Sequence, residues 1–253
     1  MPDQPTLASL AADLAAGRAT ARALVSDCLA KIADPAGEGA RVFIQVDAEG
    51  AIAAAEAMDR LRAVNAAPSP YAGIPVSIKD LFDIKGQVSR AGSLALKNAP
   101  PAAKDAPVVA RLRRAGFVVI GRTNMTEFAY SGLGINPHYG TPKNGWRRDV
   151  GHVPGGSSSG AAVSITDGMA HGALGTDTGG SCRIPAAYCG IVGYKPTARR
   201  IPLDGGVPLS FTLDGYGPLA RSVACCVTLD AVHADEPIKP VAPRPIKGMR
   251  LAI

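Results

Sequence analysis

Two glycine-rich turns end in serines. Pro154-Gly-Gly-Ser-Ser-Ser-Gly160 is followed by Gly175-Thr-Asp-Thr-Gly-Gly-Ser-Cys-Arg-Ile-Pro185, so Gly-Gly-Ser occurs at Ser157 and again at Ser181. Glycine accepts dihedrals that other residues refuse, so backbone N–H groups can converge beside a hydroxyl. Such a group suits an oxyanion, and it suits a phosphate equally well. A P-loop needs a lysine between its glycines and its Ser/Thr, and neither turn has one. Gly156-Ser-Ser-Ser-Gly160 also matches a nucleophile elbow centred on Ser158. That elbow needs a strand before it and a histidine after an acid later in the chain. Arg147 to Pro154 does not have a strand pattern, and only His171 and His233 follow.

Without a histidine, a serine needs another activator. A lysine serves once burial lowers its pKa from about 10.4 towards neutrality. Lys79 ends the apolar run Ile74-Pro-Val-Ser-Ile78. Its spacing alone does not separate it from a solvated surface charge.

The elements that must position these residues follow from periodicity. Residues 6–33 show helical spacing, divided by Gly17, with Thr20 capping the second helix. Residues 47–65 form another helix starting at Asp47, and Arg41 to Val46 form a short extended piece between them. Ile74 to Ile78 is a buried strand. Residues 105–115 form a helix capped by Asp105, with Pro107 early and Gly116 ending it. Phe117-Val-Val-Ile120 is a second buried strand. Strand, helix and strand in this order predict an α/β domain around a central sheet. Periodicity fades between 131 and 156, and long structureless loops in compact domains usually have a job. Four prolines between Glu236 and Lys247 mark a linker or surface crossover, and Met249 to Ile253 starts an apolar run, as if more chain once followed.

Composition narrows the class. With 47% hydrophobic and 19% charged residues the chain is globular rather than disordered. Its net charge of +6 is spread over small groups such as Arg111, Arg113 and Arg114, without aromatic interleaving, so direct nucleic-acid binding is not expected. The five cysteines are odd in number and match no zinc spacing, which fits reduced thiols in a cytoplasmic compartment. The N-terminus lacks a secretory pattern, and no stretch approaches 18 apolar residues, so no membrane association is expected.

Taken together, these pieces resemble the amidase signature family. The matching segments are Gly73-Ile-Pro-Val-Ser-Ile-Lys-Asp80, Asp105 through Ala115-Gly-Phe-Val-Val-Ile-Gly-Arg-Thr-Asn124, Glu127-Phe128, and both Gly-Gly-Ser segments. Gly190-Ile-Val-Gly-Tyr-Lys-Pro-Thr197 and Gly217-Pro-Leu-Ala-Arg-Ser222 follow in the same order. The resemblance implies a central mixed β-sheet flanked by helices on both faces, with a C-terminal part missing. It divides the chain into an N-terminal helical segment (1–66), a catalytic core (67–235) and a Pro-rich end (236–253).

The resemblance further implies a Ser-Ser-Lys triad in an enzyme needing no cofactor and no metal. Ser181 would form the acyl-enzyme. Ser157, after a cis Gly156–Ser157 peptide, would bridge Ser181 to a neutral Lys79. The N–H groups of Thr178, Gly179, Gly180 and Ser181 would hold the oxyanion. Ala129 and Ser131 would line the acyl side. Ser158, Asp177 and Arg183 would either support the site through hydrogen bonds or serve structure alone. Two positions depart from the family pattern, Ser159 (commonly Gly) and Cys182 (commonly Ile, Val or Phe). A Cβ at 159 would restrict the turn if a positive φ were needed there, whereas Cys182 is small enough to pack. The first expectation is hydrolysis of a small linear amide. The second is a glutamine-hydrolysing A subunit of an Asp-tRNA/Glu-tRNA amidotransferase, and the third is a non-catalytic fragment. The corresponding partners are a second copy of the chain or another component of an amidotransferase.

Overall fold

A computed structural model describes residues 4–239 and 245–250. The first third is helical. Helix α1 (Leu7–Ala15) and α2 (Ala21–Ala33) start at Thr6 and Thr20, whose hydroxyls accept the N–H groups of Ser9 and Ala23. Such caps stabilise a helix by about 1 kcal/mol each. A single turn, α3 (Gly39–Val42), leads into strand β1 (Phe43–Val46). The extended piece is therefore shorter than expected, since Arg41 and Val42 belong to the turn. Helix α4 (Ala48–Ala63) is capped by Asp47.

Strand β2 (Pro75–Lys79), helix α5 (Pro107–Arg114) and strand β3 (Val118–Thr123) form the expected unit. Asp105 does not cap α5, whose N-cap is Ala106 without a side-chain bond. The carboxylate of Asp105 accepts the N–H of Lys85 (2.7 Å) and pairs with Arg113 (3.2 Å) instead. After a 3-10 turn at Glu127–Ala129 come α6 (Ser159–Thr166), β4 (Gly172–Thr176), α7 (Arg183–Cys189), β5 (Val192–Gly193), β6 (Tyr216–Ala220) and α8 (Val223–Ala234).

Among the described residues, six strands make one mixed sheet in the order β1-β3-β2-β4-β6-β5. The inner β3, β2 and β4 run parallel, while β1, β6 and β5 pair antiparallel to their neighbours. Side chains alternate across a sheet, and this separates two cores. Val76 and Ile78 of β2, Leu174 of β4 and Ala220 of β6 pack with α1, α5 and α8. Ala173, Leu219, Val118 and Ile120 pack with α2, α4 and α6 on the other face. Each buried Ile or Leu there contributes about 1.5–3 kcal/mol. Met249 and Arg250 carry no strand, and Leu251 to Ile253 lie outside the described residues, as do Pro240 and Pro243.

Candidate active site

The alternation that sends Val76 and Ile78 to one core sends Ser77 to the other, where its hydroxyl meets that of Ser164 on α6 (3.0 Å). Lys79 shares the parity of Ser77 and ends the strand beneath the start of α6. Its side chain is 0% exposed. Nζ donates to Ser157 Oγ at 2.7 Å and to Thr176 Oγ1 at 2.7 Å. Burial drives its pKa down from 10.5 to about 7, against a weaker upward pull from Cys182, Asp177 and Asp214. The cause is desolvation of an ammonium, and among the described residues no carboxylate pairs with it.

Ser157 is placed by α6. Gly160 lies so close to the chain at the end of β3 that a Cβ there would stand 2.5 Å from Val42 O and 2.7 Å from Asn124 N. This absence of a side chain seats the first turn of α6 against β3 and the α3–β1 junction. The Gly156–Ser157 peptide is cis, and Ser157 O accepts the N–H of Thr126 (3.0 Å). Ser158 is fully buried, with its hydroxyl on Thr176 O (3.3 Å) and its N–H on Ser181 O (3.2 Å). Ser159 begins α6 with no positive φ, so the Cβ is accommodated there.

Ser181 stands on the turn after β4 and is 7% exposed. Asp177 braces that turn. Its carboxylate accepts the N–H of Cys182 (3.1 Å) and of Arg183 (3.3 Å), and the Arg183 guanidinium at 3.0 and 2.8 Å. Burial pushes the Asp177 carboxyl up, but the Arg183 side chain and these N–H groups together hold it below the usual carboxylate range. Gly180 takes φ +134°, a conformation that L side chains rarely adopt. Among the described residues, no protein acceptor takes the N–H of Thr178, Gly179, Gly180 or Ser181. Gly180 and Ser181 are buried, Thr178 is half-buried and Gly179 is exposed, so the turn that carries the Ser181 hydroxyl also presents four N–H groups available to an acceptor. Burial pushes the Cys182 thiol up, which fits packing rather than reactivity.

Thr178, Gly179 and Ser181 line a cleft of about 360 Å³ together with Ala129, Ser131 and Leu209. Tyr130, Gly132 and Ile184 complete its walls, which carry no charged side chain. Lys79, Ser157 and Ser181 thus meet at one end of β2 and β4. The link from Lys79 to Ser157 is direct. Ser181 joins through backbone, and no hydrogen bond connects the two serine hydroxyls among the described residues.

The rival residues lie elsewhere. The strand preceding Ser158 is β3, which ends at Thr123, so no nucleophile elbow forms. His171 is driven down to about 4 by burial beside Cys28, and His233 to about 3 in the α8 core, so both stay neutral. The cleft of about 660 Å³ lined by Lys31, Trp146 and Arg147 contains none of the three. Among the described residues no three His, Cys, Asp or Glu side chains gather as a metal-binding group, and no helix is long and apolar enough to cross a membrane. All five cysteines are free and buried. Sequence reasoning missed Thr176 as the second partner of Lys79, although it lies inside the second glycine-rich segment. It also missed Asp214, which accepts the Thr178 hydroxyl and has no local sequence signal.

Residues 23–247 match a protein-family model described as Amidase. The chain is 45% identical over 224 residues to the A subunit of a glutamyl-tRNA(Gln) amidotransferase from Chromohalobacter salexigens, covering 88% of this chain and 45% of that one. It is 40% identical to the AtzE subunit of 1-carboxybiuret hydrolase from Pseudomonas sp., covering 90% and 49%. A solved structure of a peptide amidase from Stenotrophomonas maltophilia superimposes with a TM-score of 0.84 at 37% identity, covering 91% and 48%. The chain spans about half the length of the curated relatives it matches.

Proposed function

The chain belongs to the amidase family, and from that premise we propose that it hydrolyses a linear carboxamide through an acyl-enzyme on Ser181. The observation that carries the proposal is the 2.7 Å contact between Ser157 Oγ and a fully buried Lys79 held near pKa 7. A lysine near neutrality is a competent base at pH 7 and above.

In this reading Ser181 Oγ attacks the amide carbon. Its proton passes to Ser157 Oγ, whose own proton passes to Lys79 Nζ. The carbonyl oxygen becomes an oxyanion on the N–H groups of Thr178, Gly179, Gly180 and Ser181, where losing one donor would cost about 3–4 kcal/mol. Collapse breaks the C–N bond, and Lys79 returns the proton through Ser157 to the departing ammonia or amine. Water then cleaves the Ser181 ester by the same relay in reverse.

Labelling with a fluorophosphonate, with the modified peptide identified by mass spectrometry, tests this reading. Modification of Ser181 in the wild type and its loss in Lys79→Ala are expected. Modification of another serine, or equal labelling in Lys79→Ala, would refute the triad. A second reading, a glutamine-hydrolysing component working with a partner, is favoured by the 45% identity to the A subunit of a glutamyl-tRNA(Gln) amidotransferase. Glutaminase activity that rises on adding the partner protein would select it.

A further inference from the structure

The segment from Gly205 to Gly215 is held by backbone at both ends. Asp83 N donates to Gly205 O (2.7 Å) and Val207 N to Leu81 O (3.0 Å), while Gly215 and Asp177 exchange bonds of 3.1 and 2.8 Å. Between these anchors the loop turns Phe211 and Leu213 outward, with Phe211 88% exposed, and leaves Leu209 partly exposed at the cleft. Burial of apolar surface therefore does little to order it. The Asp214 side chain does the gathering. One carboxylate oxygen accepts the N–H groups of Leu209 (2.9 Å) and Ser210 (3.1 Å), and the other accepts the Thr178 hydroxyl. Thr178 belongs to the Ser181 turn, and Leu209 and Thr178 line the same cleft.

We infer that Asp214 is a positioning residue that clamps the 207–214 loop to the serine turn and sets Leu209 as the wall of a subsite for an uncharged alkyl acyl chain. This rests on the proposed amidase function and adds the substrate class to it. The walls argue for the class. Ala129, Tyr130, Gly132, Ile184 and Leu209 present apolar surface and no charge. A charged group there would lose hydration without gaining a partner. The clamp argues for the mechanism. With Asp214 in place, the distance from Leu209 to the oxyanion donors is fixed by three hydrogen bonds on one carboxylate. Without it, the backbone bond from Asp214 N to Ser210 O (3.1 Å) still closes the loop on itself, but among the described residues no hydrogen bond holds residues 208–213 to the serine turn.

The test uses the full chain and two probes, an ethyl and an octyl fluorophosphonate. Reaction forms the bond from Ser181 Oγ to phosphorus, expels fluoride and passes the serine proton to the Ser157–Lys79 relay. The alkyl group stands in for the acyl chain. Octyl is expected to label Ser181 faster than ethyl in the wild type. Asp214→Ala should lower the octyl-to-ethyl ratio by about tenfold, since misplacing a positioning contact by an ångström costs that order or more. The loss should lie mainly in the octyl concentration needed for half-saturation. Asp214→Asn should restore the ratio, because its amide oxygen can accept both loop N–H groups and its NH2 can donate to Thr178 Oγ1. An unchanged ratio in Asp214→Ala, or no rescue by Asp214→Asn, would overturn the clamp. If Asp214→Ala fails to fold, Thr178→Val must lower the ratio in the same direction, and an unchanged ratio there would overturn it equally. Wild-type protein unlabelled at Ser181 by either probe would instead refute the amidase reading beneath it.

Discussion

Replacing Lys79 by methionine should make the protein more stable in acid and less stable in alkali. The side chain is fully buried, and burial lowers its pKa from 10.5 to about 7. Below pH 7 both folded and unfolded chains carry the proton, so the whole cost of burying the charge is present. Above pH 10.5 neither does, and the cost is gone. In between the unfolded chain binds more protons, so wild-type stability rises with pH. At 1.36 kcal/mol per pKa unit the cost is about 5 kcal/mol at pH 6 and about 1 kcal/mol at pH 10. Methionine removes that cost but leaves the hydroxyls of Ser157 and Thr176 without their donor, a loss of about 2 kcal/mol in all. The variant should therefore gain about 3 kcal/mol at pH 6 and lose about 1 kcal/mol at pH 10. At about 2–4 °C per kcal/mol for a chain of this size, the melting difference should swing by about 10 °C between the two conditions. Thermal melts of both proteins at pH 6, 8 and 10 measure it. A difference that stays constant with pH would mean that Lys79 does not titrate between the two values, and the argument for a neutral base would fall with it.

Other variants probe the supports. Asp80→Asn should destabilise by about 3–5 kcal/mol in a denaturant titration, because Arg122, paired with Asp80 at 2.7 Å with both side chains 0% exposed, would be left as an unpaired buried charge. Gly160→Ala should abolish Ser181 labelling, since a Cβ 2.5 Å from Val42 O must push the start of α6, and Ser157 with it, off the β3 end. Thr176→Val removes an acceptor that favours the charged lysine, so the acid limb of the pH–rate profile should move to lower pH; an unmoved limb would separate Thr176 from the relay.

The elements legible in the sequence are helices with one wet face and the two strands rich in β-branched residues, β2 and β3. In α1 the buried Leu7, Leu10, Ala11 and Leu14, and in α2 the buried Ala21, Val25 and Cys28, recur at helical spacing, and both helices start at a threonine cap. The elements that carry the serines are not legible, because they have neither a wet face nor a β-branched run. All eight residues of α6 are buried, so no helical period survives in Ser-Gly-Ala-Ala-Val-Ser-Ile-Thr. Strand β4 is Gly-Ala-Leu-Gly-Thr, poor in strand formers, because Leu229 and Val76 crowd Gly172 and Leu219 and Ser158 crowd Gly175. Strand β6 carries Pro218, which argues against an inner strand. It is tolerated where β5 pairs only with Leu219 and Ala220. The site follows the same division. The serines and Lys79 emerge through a resemblance, not through spacing, because nothing local distinguishes a buried lysine at a strand end from a solvated one. Asp214 is invisible for a related reason, since its partners are a hydroxyl 36 residues away and two backbone groups in its own loop.

The charge of the cleft bears on the two proposed amide substrates. Glutamine brings an α-ammonium and an α-carboxylate to the acyl side of its amide. Among the described residues, the walls around Ser181 offer no charged side chain. Asp177 is paired with Arg183, and Asp214 is bound to its own loop. Setting two charges against such walls without partners costs about 1–3 kcal/mol each even with partial hydration. A neutral straight-chain amide such as hexanamide should therefore exceed glutamine in kcat/KM by about a hundredfold. Ammonia release from the two substrates at equal concentration and pH 8 measures the ratio. Faster release from glutamine would mean that its charges are met by groups other than these walls, and the alkyl subsite would have to be given up in favour of the amidotransferase reading.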